Sequence, residues 1–123
     1  TYSLVEPLRW AGLRVTGLDA LTGLPEYRNG GLLLDAGVIV PKAPDFAARP
    51  REPAEPWVIE WRALTVALLD ELVPRVRERL GAPALPLACM LEGGSWAAGR
   101  QIAAERRPGG SPPVSIASDG TVF

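Results

Sequence analysis

The strongest helical pattern of apolar residues runs between positions 57 and 80, WVIEWRALTVALLDELVPRVRERL. On a helical wheel they cover most of the circumference, which predicts a central and largely buried helix. A narrow polar strip holds Glu60, Asp70, Glu71 and Glu78, with Ala63 and Ala67 between them. Arg62 falls outside that strip, among Val58, Val66, Leu69 and Val73, so its charge requires a partner or a site. Pro74 is expected to bend or interrupt the helix.

The flanking pattern is also helical, in shorter pieces. Residues 3–11, SLVEPLRWA, read as a helix with Ser3 as N-cap and Glu6 at the capping-box spacing, Pro7 in the first turn and Gly12 as the stop. A turn-rich connection, RVTGLDALTGLPEY, leads to a second predicted helix over 25–36, with Leu32, Leu33 and Leu34 buried toward its end and Gly37 beyond it. Residues 41–56 carry Pro41, Pro44, Pro50, Pro53 and Pro56, which favours extended, solvated backbone and predicts a surface loop. After GAPALP, a short apolar helix, a break at Gly93-Gly94 and a further helix from about Ser95 are expected, then a strand, an Asp-Gly turn and a final apolar pair in PPVSIASDGTVF. The fold class is therefore mainly α: one domain over 1–123 with a long central helix and a short β-hairpin-like C-terminus.

Composition narrows the chemistry. The 123 residues are 47% hydrophobic and 22% charged, a folded-protein balance, and the net charge of -1 offers no field for nucleic acid or an acidic membrane. No apolar run approaches a bilayer span and no signal-peptide pattern is present, so neither a membrane nor a nucleic acid is expected as partner; a reducing cytoplasm is the default location. With no histidine and one cysteine, Cys89, a transition-metal site is not expected, no cofactor is called for, and acid–base work falls to carboxylates, Tyr or Lys. The first residue is Thr, not Met, and the chain opens directly into a helical pattern rich in apolar residues. It is expected to be a fragment of a larger helical protein, whose N-terminal part would be its nearest partner; a homodimer is a further expectation.

Three constellations carry candidate chemistry. The first lies in GLPEYRNGG (23–31): Glu26 and Arg28 are two apart and point different ways on a helix, so each needs its own partner, and Gly30-Gly31 asks for a close approach by something. Either Glu26 is a catalytic carboxylate in a tight corner, with Tyr27 and Arg28 on the substrate, or the glycines serve helix packing and Arg28 pairs with Asp35 or Glu60. The second is Glu60 with Arg62: a second carboxylate with a substrate-binding guanidinium, or a solvated first-turn acid and a structural brace. The third is EGGSWAAGR, where a helix start at Ser95 would free backbone N–H groups for an anion, with Arg100 assisting; capping by Ser alone accounts for the same pattern.

Four stretches, YSLVEPLRWAGLRVTGLDALTGLPEYRNGGLLLDAGV, EWRALTVALLDEL, LEGGSWAAGR and SDGTVF, resemble the C-terminal part of the uracil catabolism protein four family over nearly the whole chain except the Pro-rich loop. Members act in a pyrimidine breakdown route in which uracil is converted to its nucleotide and the ring is opened to ribosylurea-type intermediates. A more distant likeness is to queuosine-salvage N-glycosylases, helical enzymes with an Asp-Tyr-Arg followed downstream by Glu-x-Arg-Ala. Here Glu26-Tyr27-Arg28 and Glu60-Trp61-Arg62-Ala63 stand in similar order, with Glu for Asp at the first position. The resemblance implies an N-glycosyl hydrolase acting on a ribosyl or nucleotide-derived small molecule, with Glu26 in the place of the functional aspartate. Glu60 is then the candidate second catalytic carboxylate and Tyr27, Arg28 and Arg62 candidate substrate contacts, joined by Ser95 and Arg100 from the third constellation. The alternative is a non-catalytic scaffolding or docking domain whose charges form a structural ion-pair network.

Overall fold

The computed structural model of the chain describes residues 2–117. A 3-10 turn, Tyr2–Leu4, runs into α1 (Val5–Trp10), and a second, Leu18–Ala20, lies on the way to α2 (Tyr27–Asp35). The long helix is α3 (Pro56–Leu80); α4 (Leu87–Met90), a π-helical turn (Leu91–Trp96) and α5 (Ala97–Arg106) follow without interruption. The mainly α class holds.

α3 starts with Pro56 in its first turn, where a missing N–H is harmless. It ends at Gly81, whose φ of 61° lets the N–H groups of Gly81 and Ala82 donate back to Glu78 and Arg77. Pro74 does not interrupt it: the bond to the carbonyl of Asp70 is forfeited and the helix runs on. Burial is narrower than the wheel predicts. Val58, Trp61, Thr65, Leu69 and Val73 form a single buried stripe, while Ile59 and Leu64 are 55% and 40% exposed, because the described elements pack against one side of α3. The core gathers Leu69 and Val73 of α3 with Met90 and Leu91, and Tyr2, Leu72, Val76, Leu85 and Leu87 close around them.

Four glycines bring the other elements in. A Cβ at Gly23 would stand 2.7 Å from Leu69 Cδ1, one at Gly30 2.8 Å from the Trp61 ring, and one at Gly31 3.0 Å from Pro113 Cδ. At Gly99 it would collide with the backbone carbonyl of Arg28, so α2 and α5 cross backbone to backbone. Trp61 completes the contact at Gly30 by donating Nε1–H to its carbonyl at 3.1 Å.

Several local expectations are corrected. Ser3 sits inside the 3-10 turn, Leu4 is the N-cap of α1, and no side chain caps that helix, so the capping box does not form. In α2 Leu33 is buried but Leu32 and Leu34 only half-buried, since the packed face is Asn29, Gly30, Gly31, Leu33 and Asp35. No helix begins at Ser95: Gly93 and Gly94 lie within the π turn, and the chain stays helical from Leu87 to Arg106. The Pro-rich loop is anchored by a residue the pattern did not single out. Buried Arg51 donates to the carbonyls of Phe46 (2.9 Å) and Asp45 (2.5 Å) and pairs with Glu55 (3.3 Å). Its own backbone makes an isolated parallel bridge to Ile116. Among the described residues that bridge is the β pairing present; the Asp119-Gly120 turn lies outside them.

Candidate functional site

Glu26 is the N-cap of α2, with extended backbone at φ -86° and ψ 162°. Its carboxylate accepts two bonds from the first turn, Oε2 from the Arg28 N–H at 2.9 Å and Oε1 from the Asn29 N–H at 2.6 Å. Negative charge at this end of a helix is favoured by the dipole and by the unpaired N–H groups. Glu lies outside the usual N-cap set of Ser, Thr, Asp and Asn, yet here its longer side chain reaches both N–H groups.

Asn29 holds this corner in place. It is buried, donates Nδ2–H to the carbonyl of Leu24 at 3.2 Å, and accepts from the Ser95 hydroxyl at 2.8 Å. The same residue thus ties the Glu26 cap to the π turn sixty-six positions away in sequence. Sequence reading missed Asn29, because the capping bond uses its backbone N–H, which any residue would supply, and its side-chain bond to Ser95 is set by the fold.

Glu26 and Asn29 line a cleft of about 670 Å³, within the range of small-molecule sites. Tyr2, Glu6 and Arg9 from the first helical segment, Leu24, and Leu91, Glu92 and Trp96 of the π turn also line it. Three carboxylates therefore share one cavity. Tyr2 donates to the Thr22 carbonyl at 3.1 Å, and burial, with the charge of Asp70 adding to it, pushes its phenol above the ordinary value of 10.0. The π turn sends Glu92 and Trp96 to the cleft while Ser95 goes inward, a use of π geometry found often at functional sites. No cluster of three His, Cys, Asp or Glu side chains suited to a metal ion occurs among the described residues.

The other candidates are dispersed. Glu60 lines a second, smaller cleft of about 230 Å³ with Leu34, Lys42, Phe46, Trp57 and Trp61, so Glu26 and Glu60 do not share a cavity. Arg28 donates to the carbonyl of Gly110 at 3.0 Å and stacks its guanidinium 4.6 Å from the Tyr27 ring; neither residue lines either cleft. Asp35, one partner suggested for Arg28, is instead gripped by Arg107 through two bonds of 2.7 and 2.5 Å. That hydrogen-bonded carboxylate raises the Arg107 guanidinium above its ordinary value. Arg62 is half-buried on α3, is not without a partner, and lines neither cleft. Ser95 is buried and its hydroxyl is spent on Asn29, so no free helix N-terminus waits there for an anion. Arg100 stands 4.9 Å over the ring of Trp96.

Set against known proteins, residues 1–123 match the family described as "Protein of unknown function (DUF1688)". The chain belongs to this family. It is 48% identical to "Protein urg3" of Schizosaccharomyces pombe (strain 972 / ATCC 24843) over 129 aligned residues, covering 100% of this chain and 32% of that protein. It is 41% identical to "Uracil catabolism protein 4" of Lachancea kluyveri over 145 residues, covering 99% of this chain and again 32% of the relative. The chain thus spans about a third of the length of both relatives. No solved structure matches it significantly. No helix of the described residues is long and apolar enough to cross a membrane.

Proposed function

We propose that the protein acts in uracil catabolism as a hydrolase that cleaves the N-ribosidic bond of a ribosylurea-type compound, with the Glu26 cleft as its site. The name of one relative, Uracil catabolism protein 4, supports the pathway. The observation that carries the chemistry is Glu26 itself: a carboxylate fixed by two backbone N–H bonds at the wall of a cavity shared with Glu6 and Glu92. In the reaction water adds its oxygen to the anomeric carbon of the sugar. The C–N bond breaks with its electron pair on nitrogen, and the proton released from water ends on that nitrogen, giving ribose and urea. The transition state carries positive charge on the sugar, which a preorganised carboxylate stabilises. Glu26 does this, and Glu6 or Glu92, on the same cavity, moves the proton. Glu60 takes no part, because it lies on the other cleft.

A second reading has its own observation. Both oxygens of Glu26 are already hydrogen-bonded as a helix cap, which also suits a docking or scaffolding domain of a larger uracil-catabolism protein. The two readings separate in one experiment on the full-length protein. Urea release from ribosylurea and its 5-phosphate is measured for the native enzyme, Glu26→Asp and Glu26→Gln. The hydrolase reading expects Glu26→Gln to lose at least about 100-fold in rate with stability lowered by only about 1 kcal/mol. Glu26→Asp, a better cap by residue type, should keep stability and lose rate. Absence of turnover by the folded native protein leaves the scaffold.

A further inference from the structure

The cleft contains one charged group that the proposed chemistry does not use. Among its lining side chains stand three carboxylates, Glu6, Glu26 and Glu92, and one guanidinium, Arg9. Arg9 lies in the last turn of α1 and is exposed. Among the described residues its guanidinium forms no ion pair and no hydrogen bond, although Glu6 stands three residues earlier on the same helix, a spacing at which opposite charges meet. Arg51 and Arg107 hold carboxylates and Arg28 and Arg77 hold backbone carbonyls, and none of these four lines the cleft. Arg100 leans on Trp96 and Ser95 is committed to Asn29, which leaves Arg9 as the cation of the cavity.

Chemistry then constrains the ligand. Carboxylates accept hydrogen bonds and suit hydroxyl or N–H donors, whereas a guanidinium is donor-only and pairs with a planar or tetrahedral oxyanion. We propose that Arg9 is the oxyanion-binding residue of the cleft, and that the ligand is a polyhydroxy compound carrying a single phosphate or carboxylate. The inference rests on the cleft being the substrate site. The hydroxyls face Glu6, Glu26 and Glu92, the oxyanion faces Arg9, and Leu24, Leu91 and Trp96 supply an apolar wall.

Binding, not turnover, tests it. Full-length protein, native, Arg9→Gln and Arg9→Lys, is titrated calorimetrically with ribose 5-phosphate, ribonate and ribose. The native protein should bind at least one of the two anions about 10–100-fold more tightly than ribose, as expected for a charge-assisted pair. Arg9→Gln should lose that advantage, with its melting temperature unchanged because Arg9 has no partner to lose. Arg9→Lys should retain part of it, since the charge stays and the fork goes. Added salt should weaken anion binding in the native protein and not in Arg9→Gln. Preference for ribose 5-phosphate identifies a phosphate ester; preference for ribonate identifies a sugar acid. Equal affinity for all three ligands, or anion binding unchanged in Arg9→Gln, overturns the proposal. Ribosylurea turnover alongside that result leaves the hydrolase reading standing, whereas Arg9-dependent anion binding without turnover sinks the hydrolase and keeps the oxyanion site.

Discussion

A methyl group at position 30 has nowhere to go. It would stand 2.8 Å from two carbons of the Trp61 ring, and that ring is pinned by its own bond to the Gly30 carbonyl. Gly30→Ala should therefore destabilise the fold by about 1–3 kcal/mol, the usual range for overpacking, read as a lowered urea midpoint at unchanged slope. An unchanged midpoint would mean the ring moves aside freely. The demand for closeness at Gly30-Gly31 is legible in the sequence, because glycine weakens a helix interior and needs a reason to be there. The identity of the close neighbours is not: Trp61 lies thirty-one residues away and Pro113 farther still, and neither belongs to a local pattern. The same limit hid Asn29, whose importance comes from Ser95.

Helices differ in how much of themselves they announce. α3 is legible as a long helix because its periodicity is strong over many turns. Its burial is narrower than the pattern suggests, since an all-round apolar surface says nothing about how many sides will be covered. The segment from Leu87 to Arg106 shows the opposite error. Local propensity at Gly93-Gly94 predicts a break, and tertiary contacts override it: Met90, Leu91, Ser95 and Gly99 are buried on either side and hold the helix through the glycines. A π turn accommodates them. Unlike Gly30, Gly93 has nothing within 4 Å of where a Cβ would stand. Gly93→Ala should accordingly stabilise the protein by about 0.5–1 kcal/mol, seen as a melting temperature raised by a few degrees. A lowered one would show that the π turn requires glycine's backbone freedom at that position.

At the scale of the molecule, polar pairs join the elements. Asp35 and Arg107 tie the end of α2 to the segment after α5, and Arg51 with Glu55 ties the Pro-rich loop to the start of α3 and to Ile116. Arg51 and Glu55 are four residues apart, but neither the Asp35–Arg107 pair nor the bridge of Arg51 to Ile116 is encoded locally, so the sequence yields the helical class and the loop but not their closure. The Glu55 carboxyl is held below its ordinary value of 4.5, first by the Glu52 N–H and then, against the effect of burial, by Arg49 and Arg51. A depressed folded-state value means the contribution is complete above the ordinary value and is lost as pH falls through the depressed one. Stability should therefore decline with acid below 4.5, and Glu55→Gln should flatten that decline, measured as urea midpoints across the acid range. An identical slope in the variant would remove Glu55 from the account. The crossing of α2 and α5 has a mechanical meaning besides. Where Gly99 meets the Arg28 carbonyl there is no layer of side chains to shear or yield, so a push on the outer face of α5 reaches the backbone that carries the Glu26 cap without a cushion.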